Sequence, residues 1–280
     1  MTPNGIRISV ALVTMNGPDR LQGCLESLRG QSLQPFEVLV SDDSSTPELA
    51  ESTRQMARRF DCRYIPGPRR GLYANRNHCA LGCTGSHIRT MDDDHTFPAG
   101  HWELCEGAVQ RDPQAFWSTG EVCLIDGRPW VAVETANQLH PSGVGCSPQD
   151  KDNNWAVADG STTYPASIFR TGKRMVEEFG YGSSYLEFGA YLYQQGYRGR
   201  CIPGAQVQHH ATGETLHRSG LPIIESRLFA ALAYNLYFRR SIALAAKYLL
   251  VSLFQSKLNP RLIARLPHIL KSVRQRWDGL

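Results

Sequence analysis

The chain is predicted to be an α/β protein, with a mostly parallel central sheet flanked by helices and a helical appendage at the C-terminus. Three observations predict it. Short β-branched apolar runs alternate with helix-period segments over the first ninety residues. Polar clusters containing Asn16, Asp42-Asp43 and Asp92-Asp93-Asp94 each follow such a run. From Pro222 onward the pattern becomes helical throughout.

Residues 6–14 (IRISVALVT) read as a buried strand, broken by Asn16-Gly17-Pro18. Leu21, Cys24, Leu25 and Leu28 recur at helical spacing, predicting a helix over 19–29. Residues 36–40 are a second strand, and Thr46-Pro47 opens a helix to about Phe60. A short strand at 62–65, a helix at 75–81 and a strand at 86–91 complete this half. The middle is less regular. A hairpin is expected from 121–124 and 130–134 around Asp126-Gly127, then a polar loop at 138–154. Helices are expected at 174–179 and 186–195, extended pieces at 200–202 and 205–209, and long helices at 223–253 and 260–277. The expected division is 1–215, with halves 1–115 and 116–215, and a basic helical appendage at 216–280.

Composition excludes several classes. A net charge of +4 and the absence of nucleic-acid-binding signatures argue against nucleic acid as a partner. The eight cysteines form no CxxC pair, so reduced thiols in a cytoplasmic protein are expected. The N-terminus runs directly into a strand, and no signal peptide is expected. No GxGxxG follows the first strand, which disfavours a dehydrogenase. A sugar-nucleotide pyrophosphorylase would carry a Gly-rich phosphate loop there, and Thr14-Met15-Asn16-Gly17-Pro18 has none.

Asp92-Asp93-Asp94-His95 is the most informative stretch. Three adjacent carboxylates repel unless water or a divalent cation relieves them. At a strand end Asp92 and Asp94 can converge while Asp93 points away. A hard cation held by one or two carboxylates keeps positions open for phosphate oxygens. Taken alone, the triplet is more readily a solvated turn than a ligand site; polar clusters on one sheet edge reverse that, because α/β sheets bind ligands beyond their strand C-termini.

In this order and spacing the chain resembles the inverting, GT-A fold glycosyltransferases of family 2. The resemblance rests on Thr14-Met15-Asn16 with Arg20, Leu21, Cys24-Leu25 and Ser27-Leu28; on Ser41-Asp42-Asp43-Ser44-Ser45; and on Gly71 with Arg76-Asn77. It continues through Asp92-Asp93-Asp94, Phe188-Gly189, Gly196-Tyr197, Pro203, Ala205, Val207 and His209. It implies a nucleotide-sugar donor, usually UDP-linked, and Mg²⁺ or Mn²⁺. Backbone groups around Thr14 and Asn16 would hold the base and ribose, with Asp42 or Asp43 accepting from them. Arg76 would pair with the diphosphate. Asp94 would ligate the metal, Asp92 would contact ribose or a metal-bound water, and Asp93 is the least defined of the three. His209 would be the last metal ligand, with His210 its rival. Bland alternatives exist: Asp42-Asp43 as a capping turn, Arg76 as a surface arginine, His209 as a core histidine.

The chain departs from the family at its acceptor-side acidic motif, which reads Ser184-Tyr185-Leu186-Glu187. Inverting transfer needs a base for the acceptor proton. Glu187 is the first candidate and Asp159 the second, while Glu187 could also be a helix-start carboxylate. Loss of the paired acids supports a competing reading as a non-catalytic nucleotide-sugar or glycan binder. The acceptor could be a glycan, a lipid-linked sugar or a small molecule. Trp155, Trp117 and Tyr185 could stack on a sugar or fill the core. The basic tail is expected to pack on the core or a second subunit through Leu258, Leu262, Ile263, Leu266, Ile269, Leu270 and Val273. It is also compatible with peripheral contact at the inner face of a membrane; residues 242–254 are too short to span one.

Overall fold

The computed structural model describes residues 5–211 and 220–278. Strand β1 (Ile8–Thr14) is buried at all seven positions and lies inside the main sheet. Helix α1 (Pro18–Arg29) follows, then β2 (Glu37–Asp42), α2 (Pro47–Arg59), β3 (Arg63–Pro66), α3 (Leu72–Gly82) and β4 (His87–Asp92). Thr46 caps α2 by accepting from the Leu49 amide at 3.4 Å, with Pro47 in the first turn. The chain continues through β5 (His95–Thr96), α4 (His101–Arg111), β6 (Phe116–Ser118), β7 (Glu121–Ile125) and β8 (Arg128–Val133). A short ladder, β9 (Gln138–Leu139) and β10 (Gly145–Cys146), lies within the stretch expected to be loop. Then come β11 (Thr162–Pro165), α5 (Ala166–Arg170), α6 (Ser184–Gln194), β12 (Gly199–Cys201) and β13 (Val207–Ala211).

The seven-stranded sheet has the order β12-β6-β11-β4-β1-β2-β3. Only β11 runs against its neighbours, so the sheet is mostly parallel, as the alternation of elements predicts. Register matters more than order. Thr14 pairs with Asp42, and Val13 with Asp92, so the three strand ends finish side by side at one edge. A second sheet, β5-β13-β7-β8, closes over that edge, pairing His95 with His209.

Two expectations fail locally. No helix forms at 174–179. Instead the Asn77 side chain holds Met175 through its backbone, donating to the carbonyl at 2.9 Å and accepting from the amide at 3.0 Å. The long helix over 223–253 is broken into α7 (Leu221–Ala233), a π-turn (Tyr234–Phe238) and α8 (Ile242–Gln255). Arg240 adopts φ 51°, and Ser241 starts α8 by capping the Leu244 amide. Helix α9 (Pro260–Trp277) has the predicted bounds. The proposed boundary at 215/216 lies outside the described residues.

The C-terminal helices share a core with the sheet: Leu228, Phe229, Leu262, Ile269 and Trp277 belong to the same cluster as Phe116, Tyr164 and Phe188. Of the expected tail stripe, Leu262, Leu266, Ile269 and Val273 pack inward, whereas Leu258, Ile263 and Leu270 are exposed. All eight cysteines are free, and six are buried.

Candidate functional site

Because β1, β2 and β4 end together, their polar termini form one rim. Thr14 donates from Oγ1 to Asp93 Oδ2 at 2.5 Å, and Arg20 on α1 reaches both oxygens of Asp93. Asp93 is thereby fixed and nearly buried, and burial pushes its carboxyl up to about 6 against the opposing effects of Thr14 and Arg20. It acts as the brace of the triplet, pointing away from its neighbours.

The β1 and β2 loops are stitched together. Asn16, at φ 56°, accepts from the Ser45 amide at 2.8 Å and donates its own amide to Ser44 Oγ. Asp42 accepts from the Ser44 amide at 2.8 Å and from Tyr64 at 3.2 Å. Asp43 donates its amide to the Thr14 carbonyl and accepts from the Arg69 amide at 2.8 Å. Burial raises the Asp43 carboxyl above its usual range. Neither aspartate caps α2, because Thr46 does so.

Arg76 requires a correction. Expected to reach a diphosphate, it is only 1% exposed, and its Nη2 sits 2.8 Å from both Asp92 Oδ2 and Asp159 Oδ1. Burial works against its charge, but Asp159 and Asp92 outweigh that and raise its pKa. A guanidinium so placed orients two carboxylates. Gly160 makes this approach possible: at φ +76° it lies against Asp92, where any Cβ would collide with Oδ2. Asp159 keeps an 18% exposed side chain. Burial pushes its carboxyl up to about 6, with Arg76 opposing and Asp92 adding to the shift.

Glu187 requires a second correction. It is 0% exposed, and it accepts from Trp277 Nε1 at 2.8 Å and from Arg276 at 3.1 and 3.4 Å. Both partners belong to α9. Three hydrogen bonds from the C-terminal helix and complete burial leave it no surface open to an acceptor. The neighbouring Tyr185 is no substitute, since burial pushes its phenol far above neutrality. Ser184 is buried against Ser226 at 3.3 Å. Trp155 packs among Tyr193, Tyr234 and Phe238, and Trp117 is buried, so both serve the core.

Asp94, His95 and His209 form a three-residue cluster whose ligand atoms lie within 4.8 Å of one another. Asp94 Oδ2 is 3.5 Å from His209 Nε2, and the His95 and His209 rings meet edge-on at 5.1 Å. His209 Nδ1 faces Glu121 at 3.7 Å, while His210 turns to Thr96 at 2.8 Å. Against burial, Asp94 and Glu121 raise the His209 imidazole to about 11; a proton and a cation would compete for that lone pair. Burial lowers the His95 imidazole, with Asp94 and Asp92 opposing. Asp94 falls well below the usual carboxylate range: burial opposes this, but the hydrogen bond from His209 and the charges of both imidazoles prevail. Asp94 Oδ1 and His95 Nδ1 are buried without a hydrogen-bond partner. One carboxylate and two imidazoles, with unpartnered donor atoms, fit a divalent cation.

Sequence reasoning missed His95 and Glu121. The signal for His95 was its place directly after the triplet; the cross-strand pairing that brings it to His209 spans 114 residues and had no local signature.

The glycosyl transferase family 2 model matches residues 9–172, which include the whole rim and Asp159. The chain belongs to glycosyl transferase family 2. It is 25% identical over 145 residues to the uncharacterized glycosyltransferase YibD of Escherichia coli (strain K12), covering 51% of this chain and 42% of that one. It is 31% identical over 90 residues to EpsH of Bacillus subtilis (strain 168), covering 31% of this chain and 26% of that one. The chain therefore matches less than half the length of either relative. Its fold is that of the GT-A glycosyltransferases. GalNAc-T7, solved with UDP, GalNAc and Mn²⁺, superposes with a TM-score of 0.68 at 15% identity, covering 84% of this chain and 48% of that one. S. aureus TarS 1-349 in complex with UDP-GlcNAc gives 0.64 at 15% identity, covering 98% and 82%.

Proposed function

We propose that the protein is a metal-dependent inverting glycosyltransferase that takes its sugar from a nucleotide donor, UDP-linked by analogy with what TarS and GalNAc-T7 are solved with. The observation that carries the reading is the Asp94–His95–His209 cluster beside the Arg76-held pair Asp92 and Asp159. Asp94, His95 and His209 would hold the cation, and two imidazole donors favour Mn²⁺ over Mg²⁺, which prefers oxygen. When bound, such a cation supplies positive charge to a diphosphate leaving group.

The chain's own groups would do the rest. The stitched loops of Asn16, Asp42 and Asp43 offer the nucleoside its polar partners. Asp92 has a buried Oδ1 without a hydrogen-bond partner, suited to a ribose or sugar hydroxyl. Asp159 replaces Glu187 as the base: a partly open carboxyl raised to about 6 is ionised at neutral pH yet basic enough to accept a hydroxyl proton. The acceptor hydroxyl, thus activated, would attack C1 opposite the leaving group and invert the anomeric centre.

The test is UDP release from a panel of UDP-sugars, with Mn²⁺ and with chelator, in wild type, Asp94→Ala and Asp159→Asn. Metal-dependent release from one donor, lost in both variants, supports the reading. Metal-dependent UDP binding without turnover, with any acceptor class supplied, returns the protein to the binder reading.

A further inference from the structure

The charge of this chain is divided very unevenly. Ten of its 30 Lys and Arg, and none of its 26 Asp and Glu, lie in residues 226–277. The remainder carries 20 basic and 26 acidic side chains, so a mild net charge conceals an acidic body and a strongly basic helical end.

The same end exposes apolar surface in an ordered pattern. Helix α8 is apolar on both sides. Its inner face buries only Ala245 and Ser252 deeply. Its outer face carries Ile242, Ala246, Leu250 and Phe254 at steps of four, and the three large side chains are 79%, 54% and 71% exposed. Val251 beside this stripe, and Leu258 in the turn after it, extend the patch. A helix apolar all round is ordinarily covered on every side.

The charges of this end divide into paired and unpaired ones, and those nearest the patch are unpaired. Arg265, Arg274 and Arg276 pair with Glu225, Asp278 and Glu187. Arg240, Lys247, Lys257 and Arg261 have no acidic partner among the described residues. Lys247 stands within the apolar stripe, Lys257 adjoins Leu258, and Arg240 lies two residues before Ile242. A cavity of about 370 Å³ opens there, with Arg240 at a wall of Leu236, Tyr237, Ile242 and Trp277. Charge against an apolar wall suits a phosphate headgroup with its first methylenes.

We propose that the outer face of α8 and the α8–α9 turn dock this protein on an anionic membrane surface, the apolar side chains entering the interface and the unpaired basic residues meeting lipid phosphates. A second copy of the chain fits less well, because a two-fold contact through this patch would oppose its own cations. No helix among the described residues is long and apolar enough to cross a membrane, so the contact lies in the plane of the surface. This inference goes beyond the transferase reading and does not depend on it.

The test is sedimentation of the full chain with vesicles of phosphatidylcholine alone, or with a one-third share of phosphatidylglycerol. Binding is expected to favour the anionic vesicles by roughly a hundredfold, because each basic residue near such a surface adds attraction, and to weaken with salt. Leu250→Glu with Phe254→Glu should lower binding by roughly tenfold or more, and Lys247→Gln with Lys257→Gln should reduce the anionic preference. All four positions are solvent-exposed, and an unchanged melting temperature certifies the fold. Equal binding to both vesicles, or none, overturns the proposal. So does a concentration-dependent dimer that Leu250→Glu with Phe254→Glu dissolves while vesicles leave the wild type unbound. UDP release measured on the same samples reports the transferase reading separately.

Discussion

Asp159 and Glu187 are both carboxylates bound to an arginine, yet the fold uses them in opposite ways. Around Asp159, the guanidinium of Arg76 is shared with Asp92, and 18% of the Asp159 side chain stays open. Around Glu187, Arg276 and the Trp277 indole converge and no part remains exposed. The first arrangement leaves a raised, partly open carboxyl; the second completes an ion pair that fastens α6 to α9. Motif register alone favoured Glu187. The environment of each acid supports the proposal of Asp159 instead, because a base must have a lone pair facing the reacting group.

The comparison can be broken by mutation. The largest effect is expected at the cation cluster: Asp94→Ala should lower metal-dependent UDP release by on the order of 10³-fold, read as turnover with and without Mn²⁺. Asp159→Asn should cost about 10²–10⁴-fold in kcat with donor binding retained, measured by initial rates beside calorimetric titration of UDP. If instead Glu187→Gln abolishes turnover in folded protein while Asp159→Asn does not, the assignment of the two acids is reversed.

A stability measurement sharpens the contrast. Glu187→Ala strands Arg276 and the Trp277 N–H, and should destabilise the fold by about 3 kcal/mol in denaturant unfolding. The pH profile offers a further probe. As the proposed base, Asp159 would have to be ionised to act, and its carboxyl is raised to about 6. With Mn²⁺ saturating, so that proton competition at His209 does not intervene, the rate should therefore fall about tenfold per pH unit below that value and level off above it. A flat profile between pH 5 and 7 would remove Asp159 as the base. The smallest effect belongs to a residue remote from both acids: Thr46→Ala removes the α2 cap and should cost about 1 kcal/mol of stability, with no change in pH profile.

Much of this was legible in the sequence because its cause is local. The runs at β1, β2 and β4 are buried strands since β-branched apolar side chains suit a sheet covered on both faces. Pro47 after Thr46 announced α2 because a cap hydroxyl and a fixed φ act on adjacent residues. Asp92, Asp93 and Asp94 were placed at a strand end by the turn that follows them. Other features had no local cause. The Asn77 clamp replaced a helix at 174–179 through bonds spanning 98 residues. The break at Arg240 and Ser241 has a local element in the Ser241 cap on the Leu244 amide, but the apolar period continues across it and masks that signal.

By itself, then, the sequence determined the alternation of strands and helices, the acidic rim at the strand ends and the family to which those patterns belong. Only the tertiary structure decided which acid is open and which is sealed, and that His95 joins Asp94 and His209. It also decided that α8 presents its apolar side outward. The physical reason is the same in each case. Hydrophobic period and turn chemistry act between neighbours, whereas the availability of a lone pair, a ligand atom or an apolar face depends on what the fold brings against it.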